Sequence, residues 1–141
     1  MKVSYHRVEV TPCLLNPGSV VVAYSGDIFM RHGSSLHTHG LVELVTGRLV
    51  RGTDVCEPLE LAQATFNTTY RGQCEAITDV APGTVFNFYP KPGTTDTALY
   101  LKCENNHVLR VNDGSLYCVG YHAHYVVAYP NAELQTLRST E

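Results

Sequence analysis

Tryptophan is absent from this 141-residue chain, lysine occurs three times, and no two of its cysteines stand in a C-x-x-C pair. Each shortage excludes something. Three lysines and seven arginines, scattered along a chain of net charge −3, make no basic stripe for phosphates and no polybasic membrane patch, so nucleic acid is not an expected partner. The five cysteines, at positions 13, 56, 74, 103 and 118, are odd in number and unclustered, which argues against a disulfide framework or a structural zinc site and for a reducing compartment. No apolar run approaches the roughly 18 residues that cross a bilayer. The start, MKVSYHRVEV, alternates polar and apolar residues where a signal peptide would be uniformly apolar. The expectation is a soluble, cytoplasmic protein whose Asn67-Thr68-Thr69 sequon goes unglycosylated. No low-complexity linker or charged tail interrupts the chain, so residues 1–141 are read as a single domain.

What is present has a period of two far more often than 3.6. SVVVAY is a β-branched run after Pro17-Gly18, GLVELV and RLVRG flank Thr46-Gly47 as a hairpin, and TALYLKCE and HVLRVN flank Asn105-Asn106 as another. SLYCVGYHAHYVVAY follows the turn signal Asn112-Asp113-Gly114. A helix is predicted over 56–66, CEPLELAQATF, because Pro58 suits a first turn, Glu57 and Glu60 suit the positive end of a helix dipole, and leucines recur at 59 and 61. NAELQTLR in the tail is a second candidate helix. The expected fold is therefore α+β and β-rich: an antiparallel sheet or small barrel of about six or more strands with one or two short helices. PGSVVVAY (17–24) and PGTVFNFY (82–89) also share Pro-Gly, a hydroxyl residue, Val and a closing Tyr, and each precedes an apolar hairpin. Two related β units are one reading of this; Pro-Gly as a common strand opening is the other.

The chemistry centres on the histidines. His37 and His39 lie two apart, so in a strand they share a face, and Glu43 can join them. Two imidazoles and a carboxylate on one face suit a divalent metal. This H-x-H-x-x-x-E pattern is similar to the first motif of cupins. It departs from them in the position of Gly47, which is too close to the glutamate, and in the later histidine, for which only Asp96 stands in. On that spacing no metal and no cofactor are expected.

The segment GDIFMRHGSSLHTHGLVELVTGRLVRG, residues 26–52, resembles the H-box of the lecithin:retinol acyltransferase-like group, a permuted branch of the NlpC-type papain-like fold. That group includes small cellular phospholipase/acyltransferases and the H-box/NC proteins of some picornaviruses. The resemblance implies a cysteine thiolate that attacks an acyl lipid or thioester and a histidine that takes its proton. By chain order it points to Cys118 as nucleophile, His39 as base, and His37 or His124 as the orienting group. It also implies, for a viral protein, action in the host cytoplasm. The group's Asn-Cys signature is missing, since Tyr117 precedes Cys118, and this points toward a retained fold with lost catalysis that binds a host protein.

Two rivals accompany it. YHAHYVVAY is similar to the histidine strand of papain-like cysteine proteases, which implies Cys13 as nucleophile, but Pro17-Gly18 falls where the nucleophile's helix should run. Alternatively, the tyrosines at 117, 121, 125 and 129, interleaved with His122 and His124, suit the surface of a non-enzymatic interaction module.

Overall fold

The computed structural model describes residues 9–10, 15–34, 40–68, 72–88, 98–119 and 125–138. Among these residues, thirteen strands run in chain order: β1 (Glu9–Val10), β2 (Val20–Ala23), β3 (Ile28–Arg31), β4 (Gly40–Glu43), β5 (Leu49–Arg51), β6 (Leu59–Asn67), β7 (Gln73–Ala76), β8 (Val85–Phe88), β9 (Tyr100–Lys102), β10 (His107–Arg110), β11 (Leu116–Cys118), β12 (Tyr125–Tyr129) and β13 (Glu133–Arg138). Among the described residues the only helical pieces are single 3-10 turns at Gly52–Asp54 and Ile77–Asp79. The fold here is β-rich and antiparallel, as the alternation implies, but the helical part of the α+β expectation is corrected.

Both expected helices are strands. Residues 59–67 form β6, the longest strand, and the tail residues Glu133–Arg138 pair with it as β13, with Leu134 opposite Phe66. The reason lies in the period. Ala62, Ala64 and Phe66 pack on the core while Gln63 and Thr65 are exposed, an alternation of two that the helix-forming composition of Leu, Glu, Ala and Gln conceals. Intrinsic helix propensity differs between such residues by only a few tenths of a kcal/mol each, and pairing on both edges outweighs it.

The strands make two sheets of the same design. The first runs β1-β6-β2-β3-β4-β5, with β13 also on β6; the second runs β7-β12-β8-β9-β10-β11. The match extends to register. Val20 faces Ala62 and Met30, while Val85 faces Tyr129 and Leu101; Leu41 faces Arg31 and Val50, while Val108 faces Lys102 and Tyr117. Loop hydrogen bonds repeat as well. Gly18 N–H donates to the Arg31 carbonyl at 2.7 Å and Gly83 N–H to that of Lys102 at 2.8 Å; Gly47 N–H donates to Glu43 at 2.8 Å and Gly114 N–H to Arg110 at 2.9 Å. The paired Pro-Gly segments therefore mark a duplicated six-stranded unit, β1–β6 and β7–β12.

The two units interlock through their glycines. At Gly47 (φ +73°) a Cβ would stand 2.4 Å from the Lys102 carbonyl oxygen and 2.7 Å from Gly83 N. At Gly114 (φ +76°) it would stand 2.2 Å from Gly18 N. The hairpin turn of each unit thus sits on the Pro-Gly turn of the other, and only glycine fits the backbone angle and the gap. Between the sheets lies a shared core of Val20, Met30, Val42 and Leu44 from the first and Val85, Leu101 and Leu109 from the second. Each sheet also buries a cluster of its own: Val21, Leu41 and Leu59 in one, Phe86, Val108 and Val126 at the matching positions in the other.

The duplication breaks at one place. β12 ends at Tyr129, the counterpart of Ala62, and the chain turns at Pro130 into β13, whereas β6 continues past Ala62 to Asn67.

Candidate functional site

Cys118, the nucleophile that the H-box resemblance implies, ends edge strand β11 and is exposed. Among the described residues no helix N-terminus presents it. Its base and orienting partners, His39, His37 and His124, lie outside the described residues, as do Cys13, Asp96, Tyr121 and His122. What does face Cys118 is His107, its direct cross-strand partner on β10. Val119 N–H bonds to the Asn106 carbonyl at 2.7 Å, which makes His107–Cys118 the close, non-hydrogen-bonded kind of pair, with both side chains on one face. His107 Nδ1 is buried without a hydrogen-bond partner among the described residues. His107 was not picked out from the sequence, although the hairpin signal was available: with the turn at Asn112-Asp113-Gly114, Leu109 opposes Leu116 and the count outward puts 107 opposite 118.

The other thiols divide by burial. Cys56 and Cys74 are exposed, while Cys103 is fully buried, and desolvation, reinforced by the neighbouring Glu104 charge, pushes its pKa up to about 12. Cys103 is thus a core thiol and not a nucleophile. Glu43, the carboxylate of the cupin-like set, is nearly buried and is held by Arg48 Nη2 at 3.1 Å. No group of three His, Cys, Asp or Glu residues suited to a metal occurs among the described residues. His32, also not singled out by its sequence, is wholly buried: its Nδ1 accepts the Ser34 N–H at 3.2 Å, and its ring lies where a side chain on Gly40 would be, which is a packing role. Among the described residues the tyrosines do not form one surface. Tyr117 and Tyr125 are exposed, but they stand on β11 and β12, with β10, β9 and β8 between them. Tyr129 packs on the core and its hydroxyl donates to Asn87 Oδ1 at 2.6 Å.

A cleft of about 960 Å³ opens at the break in the duplication. One wall is β6 from Leu61 to Thr65, the far side is Leu99, Arg110, Val111 and Asn112 of the second unit, and Gly18-Ser19 closes one end. Ala62 pairs with Val20 on one side and Arg138 on the other, so β2 and β13 occupy opposite edges of β6. On the β2 side pairing stops at Ala62, because the chain enters β2 from Gly18-Ser19, whose backbone is tied to Asn16 and Arg31. From Gln63 to Phe66 that edge carries no strand among the described residues.

Among the described residues, Arg110 is the one charged residue lining the cleft. Its Nη1 reaches Asp113 Oδ2 at 3.4 Å, and its Nε is buried with no acceptor among the described residues. Asp113 is itself held by Ser115 N–H at 2.9 Å, a bond that keeps its carboxyl below the ordinary value, with Arg110 adding to the effect. The guanidinium thus has one long ion pair and donors to spare. No family model matches this chain, and no curated protein or solved structure matches it either.

Proposed function

We propose that this protein is a non-enzymatic interaction module that takes an extended polypeptide segment into the cleft beside β6. The observation that carries this reading is the backbone edge of β6 from Gln63 to Thr65, which lines a roomy cleft and pairs with no strand on that side among the described residues. Edge N–H and C=O groups are templates for strand addition, and proteins shorten or cover those they do not use. The edge strands β5 and β11 are only three residues long, and the first N–H of β5, at Leu49, is capped by Glu104 Oε1 at 2.8 Å; β7 and β13, of four and six residues, also pair on one side only among the described residues. What sets the β6 edge apart from them is the cleft that opens beside it. Selection of a displayed random-peptide library on the protein tests the reading: peptides enrich on the wild type and fail to enrich on Ala64→Phe, which fills the cleft. Equal enrichment on both, with Ala64→Phe still folded, would rule the cleft out.

A second reading, a thiol acyltransferase or hydrolase of the H-box kind, is favoured by the His107–Cys118 pair alone. In it Cys118 is the nucleophile and His107, rather than His39, stands as base. It requires that an alkylating probe label Cys118 faster than Cys56 and Cys74, and that His107→Ala remove the difference. We expect instead that Cys56, Cys74 and Cys118 react alike and that Cys103 stays unlabelled until unfolding.

A further inference from the structure

We infer that the occupant of the β6 cleft is an extended segment carrying an acidic side chain that pairs with Arg110, and a bulky apolar side chain that settles over Ala62 and Ala64. This rests on the interaction-module reading and names its partner's chemistry. The duplication supplies an internal template. At the position of Ala62 the second unit has Tyr129, whose ring packs into the shared core and whose hydroxyl bonds Asn87. The first unit has two small alanines there, at 62 and 64, and the cleft opens beside them. The space that a tyrosine ring fills in one unit is left in the other for a side chain from outside.

Charge selects the rest of the occupant. No carboxylate lines the cleft among the described residues, and Arg110 brings a half-buried guanidinium whose Nε lacks an acceptor. A planar five-donor group with one long ion pair is suited to a second carboxylate, and such charge-assisted bonds are stronger where water is partly excluded. In the first unit the position of Arg110 is held by Glu43, which Arg48 neutralises. The cation at the cleft therefore has no counterpart in the other unit and belongs to the same break in symmetry as the open edge.

An array of acetylated, amidated seven-residue peptides tests the inference. They alternate threonine with valine, leucine or tyrosine, and carry glutamate, glutamine or lysine at each position in turn. We expect fluorescence polarisation to find glutamate peptides that bind about ten-fold or more tightly than their glutamine and lysine forms. That preference disappears in Arg110→Met, while Arg110→Lys retains part of it, and backbone N-methylation of the peptide abolishes binding. Binding that is indifferent to glutamate and to Arg110→Met would overturn the acidic occupant while leaving the module reading in place. Silence across the whole array, with none of the amides of Gln63–Phe66 slowed in exchange, would overturn both. Self-association of the protein that Arg110→Met abolishes would make a second copy the occupant and equally overturn the inference.

Discussion

Gly47 and Gly114 occupy left-handed backbone at hairpin turns and lie against backbone from the opposite unit, so an added methyl meets two penalties at once. Left-handed strain costs a non-glycine residue about 1–2 kcal/mol, and overpacking against immobile backbone about 1–3 more. Gly47→Ala and Gly114→Ala should each lower unfolding free energy by about 2 kcal/mol or more in urea titrations. Gly26→Ala, at φ +98° with open space around the methyl, should lose only the strain. Equal losses at all three positions would deny the interlock. Cys103 gives a second test at this scale. Its folded pKa of about 12 exceeds the ordinary 9.0, so the stability it contributes is complete below the unfolded value and is lost as pH rises toward the folded one. Lys102, held low by burial, has the opposite trend and persists in a Cys103→Ala variant. The stability gap between wild type and Cys103→Ala should narrow as pH is raised above about 9, and a constant gap would contradict the thiol's burial. The turns at Thr46-Gly47 and Asn105-Asn106 are legible in sequence because the φ > 0 requirement at Gly47, Asn105 and Asn106 is local. The partner of Gly47 is not, because Lys102 and Gly83 arrive from another part of the chain.

At the scale of elements, β6 is where sequence reasoning and structure part. Leu59, Glu60, Leu61, Ala62 and Gln63 are good helix formers, and Pro58 sits where a helix can begin. The information that overrides them is held by β2 and β13, which arrive from sequence far before and far after and pair residues 59–62 on one edge and 62–67 on the other. Thr65, exposed on β6 opposite Gln135, separates the alternatives by sign. In a helix Thr65→Ala would stabilise by about 0.5 kcal/mol; in a strand it should destabilise by about 0.5–1 kcal/mol. A gain in melting temperature would contradict the strand. The same residue lines the cleft, so the measurement is made without peptide.

For the whole molecule, duplication explains why a shared Pro-Gly and a few matching residues were its only trace in sequence. The units agree in register and burial, where Met30 stands for Leu101 and Val42 for Leu109, more than in identity. A core shared by two sheets should melt as one. Val42→Ala in the first sheet and Leu109→Ala in the second, both fully buried, should each shift a single common transition by about 2–4 kcal/mol. Two transitions, each moved by only one substitution, would mean that the units fold apart. The candidate site is the least legible part. The histidine pattern points to residues 37 and 39, which lie outside the described residues, whereas the cleft is a product of where β6 runs past its twin's end, and no residue type announces that. Catalytic motifs are chemical and local, while an unpaired edge is a property of topology.

Residue-resolved amide exchange with and without a selected peptide decides whether this break in symmetry is the binding site. New protection is expected at amides of Gln63–Phe66 on the side facing the cleft, with β5 and β11 unchanged. Protection that appears on β5 or β11, or around Cys118, while Gln63–Phe66 exchange as in the free protein, would contradict that assignment.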